Sequence, residues 1–228
     1  MSELIIVAGP QAAGKTTIIG HLCSEYQSIS PLFFCANRKL PPIFPLQESR
    51  QIIVHRDILL GAIFMTGKQE EDIIACDLGR MDLILKHARE KRIVYMDECN
   101  IFTIAHALAH GVKSGQNYWQ EYINRLTRLN TKVIFLDVDP ETSWERRQAK
   151  YRQRLVYFPT NRHESIMRRY QEYLKRLHPL LLDVYDRLPF PKQMLSGRAL
   201  GKDNVRGFAE ALIKISDSFR PLHKHCSH

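Results

Sequence analysis

No stretch of eighteen apolar residues occurs in the 228-residue chain, so a transmembrane helix is not expected. Nor is a secretory leader expected: Met1, Ser2 and Glu3 open on an acid, and the apolar run at 4–8 is too short for a signal core. Cysteine is sparse and odd in number. Cys23, Cys35, Cys76, Cys99 and Cys226 are scattered without a Cys-x-x-Cys pair, which argues against a disulfide framework and fits reduced thiols in the cytoplasm. The three His and one Cys of the tail at 223–228 match no zinc spacing. Repeats and low-complexity tracts are missing. Acid is in short supply, with 24 Asp and Glu against 33 Lys and Arg, a net charge of +9. That balance favours anionic partners.

The remaining composition, 44% hydrophobic and 25% charged, is ordinary for a globular chain. A single domain over 1–228 is expected, with the tail at 221–228 frayed. Residues 4–8 form a continuous apolar run that suits a strand buried on both faces. A helix should follow over 15–26. Further strands are expected at 31–36, 92–100 and 132–139, with a weak one near 193–195. Helices are expected at 69–91, 101–110, 118–129, 162–177 and 205–219. Gly111 suits a helix C-terminus. Asp139-Pro140-Glu141 suits a helix start, with Asp139 as the N-cap. The proline-rich stretch at 37–50 reads as irregular. Strands alternating with helices imply α/β architecture: a parallel sheet, five strands here, sandwiched by helices. Ligands of such sheets bind at the carboxyl ends of the strands.

At the end of the first strand stands Gly9-Pro10-Gln11-Ala12-Ala13-Gly14-Lys15-Thr16, a full match to G-x-x-x-x-G-K-[ST]. Glycines allow the backbone to fold tightly and turn its N–H groups onto an anion. The helix that follows aims its positive end at the same place. Lys15 reaches the outer phosphates of a nucleotide, and Thr16 offers a hydroxyl to Mg²⁺. The donor-binding residues expected are Gly9, Gln11, Ala12, Ala13, Gly14, Lys15, Thr16 and Thr17.

Such a loop needs a carboxylate at a neighbouring strand end. Asp97 and Glu98 close one strand, and Asp137 and Asp139 another. Asp139 is already used as a helix cap. Asp97 is the residue of choice, with Thr16, for the metal. Arginine crowds the segment after 145. Arg146, Lys150, Arg152 and Arg154 admit three readings: cations closing over a transferring phosphoryl group, a nucleic-acid backbone contact, or a solvated basic helix.

Three segments, GPQAAGKTT at 9–17, AREKRIVYMDE at 88–98 and VIFLDVDPETSWERRQAKYRQR at 133–154, resemble the thymidylate kinase and deoxynucleoside kinase branch of the P-loop kinases. The resemblance covers residues 4–177. It implies the P-loop NTPase fold, an arginine-rich lid at about 146–162, ATP with Mg²⁺ as donor and a nucleoside or nucleoside monophosphate as acceptor. Lys15 and Thr16 would hold donor phosphates and metal, and Asp97 would be the metal or base acid. Arg146 and Arg152 would be lid cations, with Arg154 beside them. Lys150 stands where arginine is commoner. Glu98 stands where the family has an arginine that steadies the acceptor, a reversal of charge. Arg80 in the long helix, or Arg38 after the second strand, would then supply the missing cation. Nucleic acid is the less favoured partner, a membrane is not expected, and a homodimer is left open.

Overall fold

The computed structural model describes residues 3–25, 29–34, 51–56, 78–79, 81–82, 85, 93–97, 100–111, 114–198 and 204–218. The described strands are β1 (Glu3–Ala8), β2 (Ile29–Phe34), β3 (Gln51–Arg56), β4 (Ile93–Asp97), β5 (Asn130–Asp137) and β6 (Lys192–Ser196). They form one sheet in the order β2-β3-β4-β1-β5-β6. Every neighbouring pair is parallel. The expected five strands are therefore six. The addition is β3, a short Gln-Ile-Ile-Val-His-Arg segment held between β2 and β4. Each of the other strands falls within a few residues of its expected place.

Because all strands run the same way, β1, β4, β5 and β6 end at one edge. β1 sits in the middle, paired with β4 and β5. Its residues 4–8 are buried on both sides, which accounts for the uninterrupted apolar run. Alternation divides them. Leu4, Ile6 and Ala8 join Met96, Val133 and Phe135 in a large cluster on one face. Ile5 and Val7 join Tyr95, Ile134 and Leu136 in a smaller one on the other.

The helices are α1 (Lys15–Glu25), α2 (Thr103–Ala109), α3 (Trp119–Leu126), α4 (Pro140–Arg154), α5 (His163–Arg187) and α6 (Val205–Ser218). Residues 78, 79, 81, 82 and 85 are helical as well; most of the expected 69–91 helix lies outside the described residues. Ile18 and Ile19 of α1 and Ala209 of α6 complete the small cluster. α2, α3 and α5 cover the large one, with Phe102, Tyr122, Leu126, Leu174, Leu177 and Tyr185. α5 does not stop at 177. It runs on to Arg187 with Pro179 inside it, because Leu181, Val184 and Tyr185 continue the buried stripe. That burial outweighs one lost helical hydrogen bond.

Aromatic rings fill this face. The Phe135 ring lies 6.2 Å from Phe102 and 5.0 Å from Tyr185. Between α2 and α5, Tyr173 meets the His106 Nδ1 at 2.5 Å and stacks on His110 at 4.7 Å. Burial first, then the charges of His106 and Arg176, lower the His110 pKa to about 4. Arg187 stacks its guanidinium 4.2 Å over Trp119, and Lys192 donates to the carbonyls of Tyr185, Asp186 and Leu188 at the end of α5. Gly111, at φ +81°, closes α2 by donating to the Leu108 carbonyl at 2.9 Å.

Candidate active site

The segment 9–14 leaves β1 and enters α1 through three backbone positions with positive φ: Gly9 at +141°, Ala12 at +60° and Gly14 at +94°. Gly9 also has no room for a side chain. A Cβ there would stand 2.3 Å from the Leu136 carbonyl oxygen of β5. Ala12 is the one non-glycine residue with positive φ among the described residues. Its left-handed conformation costs about 1 kcal/mol and survives only if neighbours hold it.

Lys15 is buried at 8% exposure, and its Nζ donates to the carbonyls of Gly9 (2.7 Å) and Pro10 (2.9 Å). The ammonium therefore sits inside the loop's own curve. Thr16 and Thr17, on the first turn of α1, are exposed. The loop is tied by the Ala13 N–H to the Pro10 carbonyl and the Ile18 N–H to the Gly14 carbonyl. The seven-residue stretch 9–15 thus combines a backbone with three positive-φ positions, a helix N-terminus and a fixed cation.

Asp97 ends β4 in register with Val7 of β1 and His55 of β3, and it stands two residues beyond Tyr95, whose ring belongs to the α1-side cluster. The strand edge thus brings Asp97 beside the start of the loop. Glu98, Arg38 and Arg80 lie outside the described residues, as do the side chains of Asp97 and Arg154. Of the β5 acids, Asp137 meets His178 Nε2 at 2.9 Å. Asp139 is the N-cap of α4, accepting from the Thr142 N–H at 2.8 Å. That bond, with help from Arg198 at 2.7 Å and the Thr142 hydroxyl, holds the Asp139 carboxyl well below the usual carboxylate range.

The arginine block divides. Arg146 reaches the outside of the loop: it donates to the carbonyls of Ala12 (3.3 Å), Gly197 (3.1 Å) and Arg198 (3.0 Å). Arg152 is exposed and meets Gln148 of its own helix at 3.5 Å. Arg154 is the last residue of α4. Lys150 is exposed as well. All three of Arg146, Lys150 and Arg152 are exposed; the structure brings Arg146 to the loop and keeps Arg152 against its own helix.

Sequence reasoning passed over Gly197, Arg198 and Tyr151. Gly197 follows β6 where a Cβ would stand 2.5 Å from Val138 Cγ2 and 3.3 Å from the Ala13 carbonyl. A Ser-Gly-Arg turn closing a strand at the same sheet edge was the available signal. Tyr151 is buried at 1% exposure within a polar helix, and its hydroxyl donates to Gln11 Oε1 of the loop. A lone tyrosine in the largely polar run at 145–154 was the hint.

A Mg²⁺ ion takes hard oxygen ligands, keeps several waters and needs one or two protein groups plus phosphate oxygens. The Thr16 hydroxyl and the Asp97 carboxylate are donors of that chemistry. Among the described residues no cluster of three His, Cys, Asp or Glu could hold a metal.

No family model matches the chain, and no curated protein matches it by sequence. Solved structures do. Deoxyadenosine kinase from M. mycoides, with the products dCMP and a flexible dCDP bound, superimposes with a TM-score of 0.60 at 17% identity, over 94% of this chain and 99% of that chain. The same enzyme with bound dATP gives 0.57 at 16% identity, over 92% and 98%. The chain has the α/β P-loop kinase fold of these deoxynucleoside kinase structures.

Proposed function

We propose that the protein is an ATP-dependent phosphotransferase that moves the γ-phosphoryl group to a nucleoside or nucleoside monophosphate. One observation carries this reading: the loop at 9–15, with its three positive-φ residues and inward lysine, at the carboxyl edge of a parallel sheet. The M. mycoides structures, which hold dATP, dCMP or dCDP in the same fold, support the choice of substrate class.

On this reading, the acceptor oxygen attacks the γ-phosphorus, the bond to the bridging oxygen breaks, and ADP leaves. The chain contributes position and charge rather than covalent chemistry. Lys15 exchanges the Gly9 and Pro10 carbonyls for outer phosphate oxygens. Backbone N–H groups of 12–16 hold the remaining ones. Thr16 and Asp97 would hold Mg²⁺, which would neutralise charge on the phosphates. Asp97 would also take the acceptor proton. Arg152 and Arg154, at the C-terminal end of α4, close over the equatorial oxygens. Arg38 or Arg80 supplies the acceptor cation that Glu98 does not.

Glu98 favours a second reading of the acceptor. A carboxylate there repels a monophosphate, so an uncharged nucleoside, or a different hydroxyl such as a nucleic-acid 5′ end, fits better on charge. A nucleotide-binding regulator with little turnover is the remaining alternative. ADP release from Mg·ATP, measured against nucleosides, nucleoside monophosphates and 5′-hydroxyl oligonucleotides with Lys15→Ala as blank, separates them. Stimulation by one class names the acceptor. Bound ATP without stimulation by any of them rejects these acceptors and points to another metabolite as acceptor or to a nucleotide-binding regulator.

A further inference from the structure

We propose that Tyr151 is a positioning residue for the phosphate loop, acting through Gln11. The inference rests on the donor-site reading above and deepens it, because it concerns how the loop is kept ready rather than what it binds.

Tyr151 lies on α4, outside the glycine-lysine motif. Its ring is buried at 1% exposure and stacks on Tyr170 of α5, with centroids 4.2 Å apart and planes 8° from parallel. Trp144 flanks it at 6.2 Å, and the Arg147 guanidinium lies 5.9 Å over the ring. Held on these sides, the ring has one orientation, and its hydroxyl donates to Gln11 Oε1. A buried tyrosine hydroxyl takes a partner wherever it can. Here the partner is the side chain of a loop residue 140 positions away.

Gln11 immediately precedes Ala12, the non-glycine residue at φ +60°. The Ala12 carbonyl is bonded in turn by Arg146, from the same helix. α4 therefore grips two consecutive loop residues, one by its side chain and one by its backbone. The conformation at Ala12 is one that a residue with a Cβ adopts only when its surroundings impose it. Residues 11 and 12 are also where the loop must turn its N–H groups inward. Fixing them before the anion arrives removes an ordering cost from binding. The packed Tyr151–Tyr170 pair makes the grip rigid because it ties α4 to the long helix α5.

Tyr151→Phe keeps the ring, the stack and the burial and deletes only the hydroxyl. Gln11→Ala, on a half-exposed loop position, deletes the acceptor without touching the core. Affinity for Mg·ATP and for Mg·ADP is measured by calorimetry on the full chain, with thermal melting alongside. Each single variant is expected to weaken Mg·ATP about tenfold, the loss of one hydrogen bond plus loop ordering. The double variant is expected to stay within about twofold of the weaker single, because both changes break one link. In turnover, the KM for ATP should rise more than kcat falls, with the acceptor KM unchanged. A wild-type-like affinity in Tyr151→Phe overturns the inference alone, and so does a double variant whose losses multiply to about a hundredfold. Should Tyr151→Phe melt early, Gln11→Ala decides by itself: unchanged affinity there also overturns it. A wild-type protein that binds neither nucleotide overturns the donor-site reading and the inference with it.

Discussion

The two faces of the sheet are built by the same strands from opposite ends of the size scale. On the α2–α3–α5 face, large rings meet: Phe102, Phe135, Tyr173 and Tyr185 interlock under a 25-residue helix. On the α1–α6 face, small and branched residues dominate, Ile5, Val7, Ala13, Ile18 and Ala209. At its edge the chain tightens into glycines and positive φ angles. The first face offers bulk to bury. The second offers a close approach of backbone to an anion, which bulk would prevent. On the proposed donor-site reading, stability and ligand binding fall on opposite sides of one layer, with α4 touching both the loop and α5.

That division is broken most directly at Lys15. Lys15→Ala is expected to lower turnover by about three orders of magnitude, the scale for a fixed charge at a phosphoryl group, while leaving the melting temperature close to wild type. A variant that retains activity would show that the small face is not the donor site. Phe135→Ala tests the reverse. It should cost about 3–4 kcal/mol of stability through a cavity between Phe102 and Tyr185, read by denaturant unfolding, with the KM for ATP unchanged below the melting range. If KM rises with instability, the two faces are coupled more tightly than the packing suggests.

Acid sharpens the contrast. His110 is held neutral in the fold, its pKa lowered from 6.5 to about 4. The unfolded chain therefore takes up this proton first as pH falls. The stability it contributes is complete above about pH 6.5 and is lost between there and about pH 4. The loss should be about 1–2 kcal/mol, discounted because the ring is only partly buried. His110→Phe preserves the stack on Tyr173 and should flatten the slope of stability between pH 4 and 6.5 relative to wild type. An unchanged slope would remove His110 from the acid response. The smallest effect is expected at Arg187→Ala, which strips the cation from Trp119 and should cost about 0.5–1 kcal/mol without altering nucleotide affinity.

Much of this was legible because it is local. The loop motif, the buried run of β1, the Asp139-Pro140 start of α4 and the Gly111 stop each declare themselves within a few residues. β3 did not. Ile52, Ile53 and Val54 are too short a run to announce a strand beside a proline-rich stretch, and their partners are β2 and β4, distant in the chain. Pro179 misled in the other direction: a residue that usually ends a helix sits inside α5, where tertiary burial overrides it. In the site, the arginines were legible as charge but not as geometry. Arg146 and Arg152 look alike in a basic block and both are exposed, yet one is bonded to three carbonyls around the loop and the other to Gln148 of its own helix. Tyr151 was legible only as an odd aromatic in a polar helix and not as a contact, since its partner Gln11 lies 140 positions away.

The place of β1 has a consequence for the order in which the protein can be made. It precedes the other described strands in the chain and is central in the sheet, in register with β4 from Ile93 and with β5 from Asn130. The β4 flank exists only once about 90 more residues have been added and the β5 flank only after about 130, the latter a matter of about 7–25 seconds at ordinary elongation speeds. Until then the strand has no partner on its β5 side and the loop behind it has no Leu136 to lean on. Pairing at such separations is intrinsically slow. The nascent chain carries residues 9–15 without their β5 support until Asp137 has been added, and fragments ending before β5 should aggregate rather than bind nucleotide.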